Sequence, residues 1–398
     1  MRDRLALVLP VYVPTALLSA GAGMLIPTVP LYALTLQEAF VLVSFAVAAE
    51  KIGTMLGDVP SGMMLDRIGR KRSMLVGTVA IAIGTIGVAL IPSYWALLVL
   101  RFVAGVGSSM WNISRMAHLV SATTPRDRGK VLASYGGISR IGTFAGPGVG
   151  GLIALAYGLT APFIAAGLLA LAAALVAVRF IPSDTPRAAA KGHRAAWRAL
   201  GTLARSQWRD LATAGSAQFC SSVMRQGRHV VVPLYGATVL GLDVAQVGGL
   251  VTLSAAIDMC LFLPAGIISD RLGRKFASVP CFTIMGLGMA LIPFAADYTG
   301  LMIAVSVIGL GNGLGSGAML TLGADLAPDE GTGEFLGVWR MIGDTGQTSG
   351  PVIVGALGDV VGLAGAAFAL ALVGWACAGT LAAFVRETNE NGRTRAAA

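Results

Sequence analysis

The sequence predicts an all-α integral membrane protein of twelve spanning helices, set out as two six-helix pseudo-repeats. Three observations predict it. Of 398 residues, 55% are hydrophobic and only 12% are charged, about half the charge a soluble domain carries. The apolar residues fall into twelve runs, each long enough to cross a bilayer, which takes about 20 residues. Two separate motifs recur at one shared offset of 204 residues. A soluble enzyme and a disordered chain are thereby excluded. The net charge of +9 sits in short runs between apolar stretches rather than in the surface patches of a nucleic-acid binder. The runs are too long and continuous for the alternating strands of a membrane barrel.

The spans follow in order. The first, 6–34, comes after Met1-Arg2-Asp3-Arg4. That start mimics a signal peptide, but the run exceeds a signal h-region and more spans follow, so an uncleaved helix is expected. The second, 41–63, ends before Asp66-Arg67-Ile68-Gly69-Arg70-Lys71-Arg72, and the third, 73–92, stops at Pro92-Ser93. The fourth, 94–121, ends before Arg126-Asp127-Arg128-Gly129-Lys130. The fifth, 131–157, stops at Gly158, and the sixth, 161–181, at Pro182. The seventh, 211–236, follows the only long connection, and the eighth, 245–269, runs to Asp270-Arg271-Leu272-Gly273-Arg274-Lys275. The ninth is 276–296 and the tenth 300–326; the acidic residues Asp329, Glu330 and Glu334 follow. The eleventh, 335–358, and the twelfth, 362–385, flank Asp359.

The even-to-odd connections carry the Lys and Arg, and the opposite connections carry none. The positive-inside rule then places both termini in the cytoplasm of a multi-pass protein of the bacterial cytoplasmic (inner) membrane. The domains are 1–181, an N-terminal six-helix bundle; 182–210, a cytoplasmic basic linker; and 211–398, a C-terminal six-helix bundle. Within the linker, Trp197, Leu200, Leu203 and Trp208 fall on a rough helical stripe among arginines. A solvated linker and a helix lying on the inner leaflet both fit. Cys220, Cys260, Cys281 and Cys377 lie inside apolar runs without ligand spacing. They read as buried thiols, with no metal site.

The repeat is explicit. Pro60-Ser61-Gly62-Met63-Met64-Leu65-Asp66-Arg67-Ile68-Gly69-Arg70-Lys71 matches Pro264-Ala265-Gly266-Ile267-Ile268-Ser269-Asp270-Arg271-Leu272-Gly273-Arg274-Lys275, and Gly142, Gly146-Pro147 matches Gly346, Gly350-Pro351. Duplicated halves are a common plan of secondary transporters. The G-x-x-x-D-R-x-G-R-K run resembles the signature loop of the major facilitator superfamily. Arg101-Phe102-Val103-Ala104-Gly105-Val106-Gly107 resembles the R-x-x-x-G-x-G pattern of its twelve-helix drug–proton antiporters. Gly142-x-x-x-Gly146-Pro147-x-x-Gly150-Gly151 resembles their antiporter motif. The resemblance spans the chain and implies the major facilitator fold.

Each motif has its own physics. Gly62 and Gly69 allow tight packing and a sharp turn. Asp66 suits a helix N-terminus, and Arg67, Arg70 and Lys71 suit the acidic residues after span 10, a latch that opens during transport; a plain topology anchor also fits. The second copy offers Asp270, Arg271, Arg274 and Lys275. Gly142, Gly146 and Gly150 give a smooth packing face, and Pro147 bends its helix. The run Gly309, Gly311, Gly313, Gly315, Gly317 lies within a span and has the wrong spacing for a dinucleotide fingerprint; it marks a flexible or a tightly packed helix.

Ionisable groups at bilayer depth are costly, so their positions carry information. Spans 1, 3, 9 and 12 hold none, and span 6 only Arg179 at its end. The resemblance implies that spans 3, 6, 9 and 12 face lipid. Glu50, Asp258, Asp344 and Arg101 are the proton-coupling candidates; for Arg101 the resemblance implies proton coupling or carboxylate pairing. Two ion pairs are expected across the seam between halves, Lys51 with Asp344 and Arg140 with Asp258, with Arg340 near the first. Seven basic residues (Lys51, Arg101, Arg115, Arg140, Arg225, Arg228, Arg340) against three acidic ones bias the interior positive. That suits an anionic or zwitterionic solute. Alternatively the arginines are neutralised, and Trp111, Met110, Phe219, Tyr235 and Trp339 line an apolar pocket.

The function expected is secondary active transport: proton-coupled export of amphipathic drugs or metabolites by alternating access. Symport of a small organic anion is a second reading. A non-transporting receptor or lipid-handling protein is a third. An enzyme is not expected, and no G-x-x-x-x-G-K-[ST] loop supports an ATP-driven pump. The expected partners are a small-molecule substrate and the lipid bilayer, with no nucleic acid, no cofactor and a monomeric chain; the proton gradient supplies the energy.

Overall fold

The computed structural model describes residues 11–123, 125–181, 207–315, 317–328 and 331–388, and every regular element among them is helical. The residues Met1 to Arg4, most of the 182–210 linker, and Asp329 and Glu330 lie outside the described residues. The helices are α1 (Val13–Leu36), α2 (Phe40–Ile68), α3 (Arg70–Leu90), α4 (Tyr94–Ala122), α5 (Pro125–Tyr157) and α6 (Ala161–Phe180), then α7 (Trp208–Leu234), α8 (Val244–Leu272), α9 (Arg274–Leu291), α10 (Tyr298–Leu314), α11 (Ala318–Leu326) and α12 (Thr332–Ala383). Among the described residues ten helical stretches are long and apolar enough to cross a membrane; Tyr298–Leu326 counts as one of them, and α7 is not among them. Helix α7 carries Arg209, Asp210, Arg225 and Arg228, which dilute its apolar length.

Several boundaries differ from the sequence expectation. The charged motif stretches are not loops. Helix α2 runs through Arg67, and α3 starts at Arg70; only Gly69, at φ 81°, stands between. Gly273, at φ 121°, does the same between α8 and α9. A single glycine in a region closed to L side chains suffices to turn the chain, so the helices continue through their charged ends. The long run of α12 is likewise interrupted at one residue, Gly362 (φ 75°, ψ 165°). The glycine-rich tenth span is both packed and broken. Gly309, Gly311 and Gly313 pack closely, but the helix stops at Leu314 and resumes after Gly317, whose φ is 81°.

Contacts divide the chain into two compact units: Met1–Ala190 with Leu242–Thr252, and Lys191–Gly241 with Leu253–Ala398. In the first unit α4 packs on α2 and α3, and α1 packs on α5 and α6. In the second, α12 packs on α7 and α9, and α9 on α10. Small residues make these contacts. In α6 the buried face is Ala166, Ala170, Ala173 and Ala177, while Ile164, Leu168, Leu171, Leu175 and Val178 stay exposed. Small side chains inward and large apolar ones outward is how helices pack when the surrounding solvent is itself apolar.

Several close approaches recur at the offset of 204. A Cβ on Gly107 would come within 2.5 Å of the Gly77 carbonyl oxygen; on Gly311 it would come within 2.8 Å of the Cys281 carbonyl oxygen. A Cβ on Gly105 would run into the Glu50 carbonyl oxygen, and one on Gly309 would lie 2.6 Å from that of Ser254.

Candidate functional site

Helices α2 and α4 meet along a ladder of polar rungs. Arg101 Nη2 forms an ion pair with Glu50 Oε2. One turn on, Thr54 Oγ1 donates to the Gly105 carbonyl at 3.2 Å. A further turn on, Ser109 donates to the Asp58 carboxylate. All three rungs join residues 51 apart. A constant separation, rather than a constant sum, means that the two helices run parallel. They can come this close because Gly53 faces the Phe102 carbonyl and Gly105 the Glu50 carbonyl.

The first rung borders a cavity of about 330 Å³ inside the first unit. Its α4 wall is Arg101, Ala104, Ser108, Trp111, Asn112 and Arg115. These positions recur every three or four residues, as one face of a helix must. Helix α2 adds Glu50, Lys51 and Thr54; α5 adds Tyr135, Ser139 and Thr143. Ser19 of α1 and Ser139 exchange a hydrogen bond at 3.0 Å. The Arg115 guanidinium lies over the Tyr135 ring, 4.1 Å from its centroid. Lys51 and Glu50 are neighbours in sequence, and both reach the cavity. The lining therefore mixes cations, one carboxylate, hydroxyls and an amide with apolar side chains such as Leu18, Leu25 and Ile81, so it offers both hydrogen-bonding and apolar surface.

Other predicted residues fall elsewhere. Met110 is buried beside Gly77 and is not on the cavity wall, whereas Trp111 both lines the cavity and packs with Met74, Ala177 and Ile181. Arg140 is half-buried on α5 and belongs to the first unit, with Lys51; Asp258 and Asp344 belong to the second. Within that unit Asp258 accepts from Asn312 Nδ2 at 2.8 Å. Asp344 accepts from Gln347 Nε2 at 3.0 Å and from Arg340 Nε, one turn earlier on the same helix, at 3.4 Å. Arg225 donates to the Gly315 carbonyl at 3.1 Å and lies over the Phe282 ring. Arg228 is half-buried on α7. Tyr235 is buried, with its hydroxyl 3.3 Å from the Ala295 carbonyl oxygen. Trp339 stacks on Phe335, and the Phe219 carbonyl sits against Gly346.

The two copies of the charged motif differ in their partners. Arg70 donates to Ser121, and Arg274 donates to Asp325 at 3.0 Å, the same pair at the offset of 204 with a serine exchanged for a carboxylate. Arg274 also reaches Asp270 at 2.6 Å. Glu387, beyond the last span, accepts the backbone N–H groups of Arg274 and Lys275 at 2.8 and 3.0 Å. It thereby caps the otherwise orphan donors at the start of α9. Glu387→Ala is expected to cost about 1 kcal/mol, read as an earlier midpoint in thermal unfolding in detergent. The tight packing expected of Gly62 is corrected: nothing lies within 4 Å of where its Cβ would be, and Gly266 is equally open. Asp66, Arg67, Lys71 and Arg271 lie on or beside helix ends with intermediate or full exposure. The α5 glycines do pack: Gly142 on Ser19 and Ala20, Gly146 on Gly23, Gly150 on Met24, and Gly151 on Val244 of the same unit.

Ser108, Asn112, Tyr135 and Glu387 carry no charge at bilayer depth and so give none of the signal that marks Glu50 or Asp258. The helical recurrence of polar residues along 101–115 was the available sign.

A family model described as "Major Facilitator Superfamily" matches residues 13–351 and 214–398. An uncharacterised MFS-type transporter of Methanocaldococcus jannaschii, MJ1560, is 22% identical over 359 residues, 89% of this chain and 92% of that protein. The uncharacterised MFS-type transporter YcaD of Escherichia fergusonii is 37% identical over 95 residues, a local match covering 24% of this chain and 25% of that one. The crystal structure of a point mutant of the nucleoside transporter NupG superposes with a TM-score of 0.82 at 12% identity, covering 96% of this chain and 100% of that one.

Proposed function

The chain belongs to the Major Facilitator Superfamily, a family of membrane transporters of small molecules, and from that premise we propose that it is a proton-coupled exporter of amphipathic compounds working by alternating access. The observation that carries this is the Glu50–Arg101 ion pair on the wall of a polar cavity. A proton taken by Glu50 removes the charge that holds Arg101. Solute contacts and protonation state are then coupled on one wall, because a neighbouring cation favours the ionised carboxylate and burial opposes it. The α5 glycine–proline run packed along α1 supports the antiport direction, as in the motif it resembles.

The proposed layout is twelve spans. Helix α7 counts as a span, with Arg225 and Arg228 half-buried along it, and Thr332–Ala383 counts as two spans meeting at Gly362. Two six-helix repeats, 1–181 and 211–398, joined by a basic linker, are supported by the close approaches that recur at the offset of 204. The proposed setting is a bacterial cytoplasmic membrane, with a monomeric chain, both termini inside and the proton gradient as energy source. Asp66 and its basic neighbours form the proposed latch. A second reading, symport of a small organic anion, is favoured by one fact: Lys51, Arg101 and Arg115 outnumber Glu50 on the cavity wall.

Reconstitution in liposomes tests this. With an imposed pH gradient and a panel of cationic, neutral and anionic dyes, at least one dye should accumulate against its gradient, and an uncoupler should collapse it. Uniform indifference to the gradient overturns the reading. Asp258→Asn and Asp344→Asn are each expected to lower the initial rate of gradient-driven flux about ten-fold, a loss of about 1.4 kcal/mol. Full flux in both variants would leave Glu50 as the remaining proton carrier.

A further inference from the structure

Arg115 stands out among the cavity residues. It is 7% exposed, and its Nε has no hydrogen-bond partner among the described residues. Its guanidinium lies over the Tyr135 ring, which orients the group without neutralising its charge. Among the described residues the one carboxylate on the cavity wall is Glu50, and Arg101 holds it. Arg101 and Arg115 are 14 residues apart on one helix, about 21 Å at 1.5 Å per residue. Glu50 therefore cannot serve both. An arginine does not shed its proton, and a buried charge without a counter-ion is strongly unfavourable. Such a site is completed by an anion brought from outside.

We propose that Arg115 binds the anionic group of the transported solute, so that the solute is a small organic anion bearing a carboxylate or a phosphate. The inference rests on the reading of the chain as a transporter, whatever its direction, and narrows the solute from amphipathic compounds in general to small anionic ones. A planar guanidinium takes either group through two parallel hydrogen bonds. Asn112 and Trp111 lie one turn before Arg115 on the same wall, and Ser108 two turns before. They offer an amide, an indole face and a hydroxyl to the rest of the molecule. Lys51, on the α2 wall, supplies a second cation. A cavity of about 330 Å³ is at the small end of ligand sites, which suits a compact solute rather than a large lipophilic one.

The test is binding to the purified full-length protein in detergent, without any gradient, read as a shift of the thermal unfolding midpoint and as quenching of tryptophan fluorescence. The probes are small mono- and dicarboxylates in one arm and small organic phosphates in the other. Each is matched with its neutral amide or ester and with an amine of similar size. The expected result is that anions of one arm or both raise the midpoint while the matched neutral compounds and amines do not. Arg115→Gln should weaken that binding at least ten-fold. Arg115→Lys, which keeps the charge and loses the two-point geometry, should fall between. The proposal is overturned if amines or neutral compounds bind in place of anions, if no anion binds, or if Arg115→Gln binds anions as tightly as the unaltered protein. Should Arg115→Gln fail to fold, the probe panel on the unaltered protein and Arg115→Lys still decide. Loss of pH-gradient dependence in liposomes with anion binding intact would sink the proton-coupled reading and leave this one standing.

Discussion

Replacing Arg101 by alanine is expected to abolish gradient-driven flux and to destabilise the protein by about 3 kcal/mol, the lower end of the cost of orphaning one member of a buried pair. The lower end applies because the Glu50 side chain is 23% exposed to the cavity, so water eases its charge. Glu50→Gln removes the acid instead and leaves Arg101, only 6% exposed, without its counter-ion. The double variant Glu50→Gln/Arg101→Gln replaces the ion pair by a neutral pair that can still hydrogen-bond. It should recover most of the lost stability and none of the flux. Unfolding midpoints in detergent and dye flux in liposomes separate the two effects. Flux restored in the double variant would show that the pair is structural only, and the proton would have to be carried elsewhere.

Gly105→Ala is expected to be among the most damaging single substitutions in the first unit. A Cβ there would run into the Glu50 carbonyl oxygen, with the Thr54 amide nitrogen 2.9 Å away. Backbone cannot move aside as a side chain can, so α2 and α4 must separate. Overpacking of this kind costs about 1–3 kcal/mol, and here the separation also draws Thr54 from the Gly105 carbonyl and Glu50 from Arg101. Gly62→Ala provides the contrast. Its Cβ position is open and lies inside α2, so the substitution should not destabilise and should stabilise by up to about 1 kcal/mol. Denaturation midpoints of the two variants, measured side by side, check this. Equal effects would mean that the close approach of α2 and α4 is not a constraint.

Much of the architecture was legible because a bilayer imposes a coarse code. Apolar length marks a helix, and a duplicated motif marks its counterpart one repeat later. The individual side-chain contacts were less legible. Glu50 and Arg101 each stood out as charges, but nothing local says that residues 51 apart are neighbours; that follows only from α2 and α4 running parallel. The glycines were readable as a class, yet Gly62 and Gly105 look alike in sequence and differ wholly in what surrounds them. Glu387 lies past the last apolar run, where no periodicity marks it, and its role depends on α9 beginning nearby. Asn112 and Ser108 are neutral, so the cost of burying charge gave no reason to single them out.

The α2–α4 ladder has a mechanical consequence. Three polar rungs one turn apart, with backbone seated on backbone at Gly53 and Gly105, leave neither helix a register to slide into. A shift of one turn would set Glu50 opposite Gly105 and strand Arg101 and Asp58 at once. The pair is thus a stiff rib: it can tilt or translate as a piece, but it cannot shear. Whatever bending accompanies the passage of a solute must be taken up elsewhere in the chain, for instance where a single glycine parts two helical stretches, as at Gly273 and Gly362.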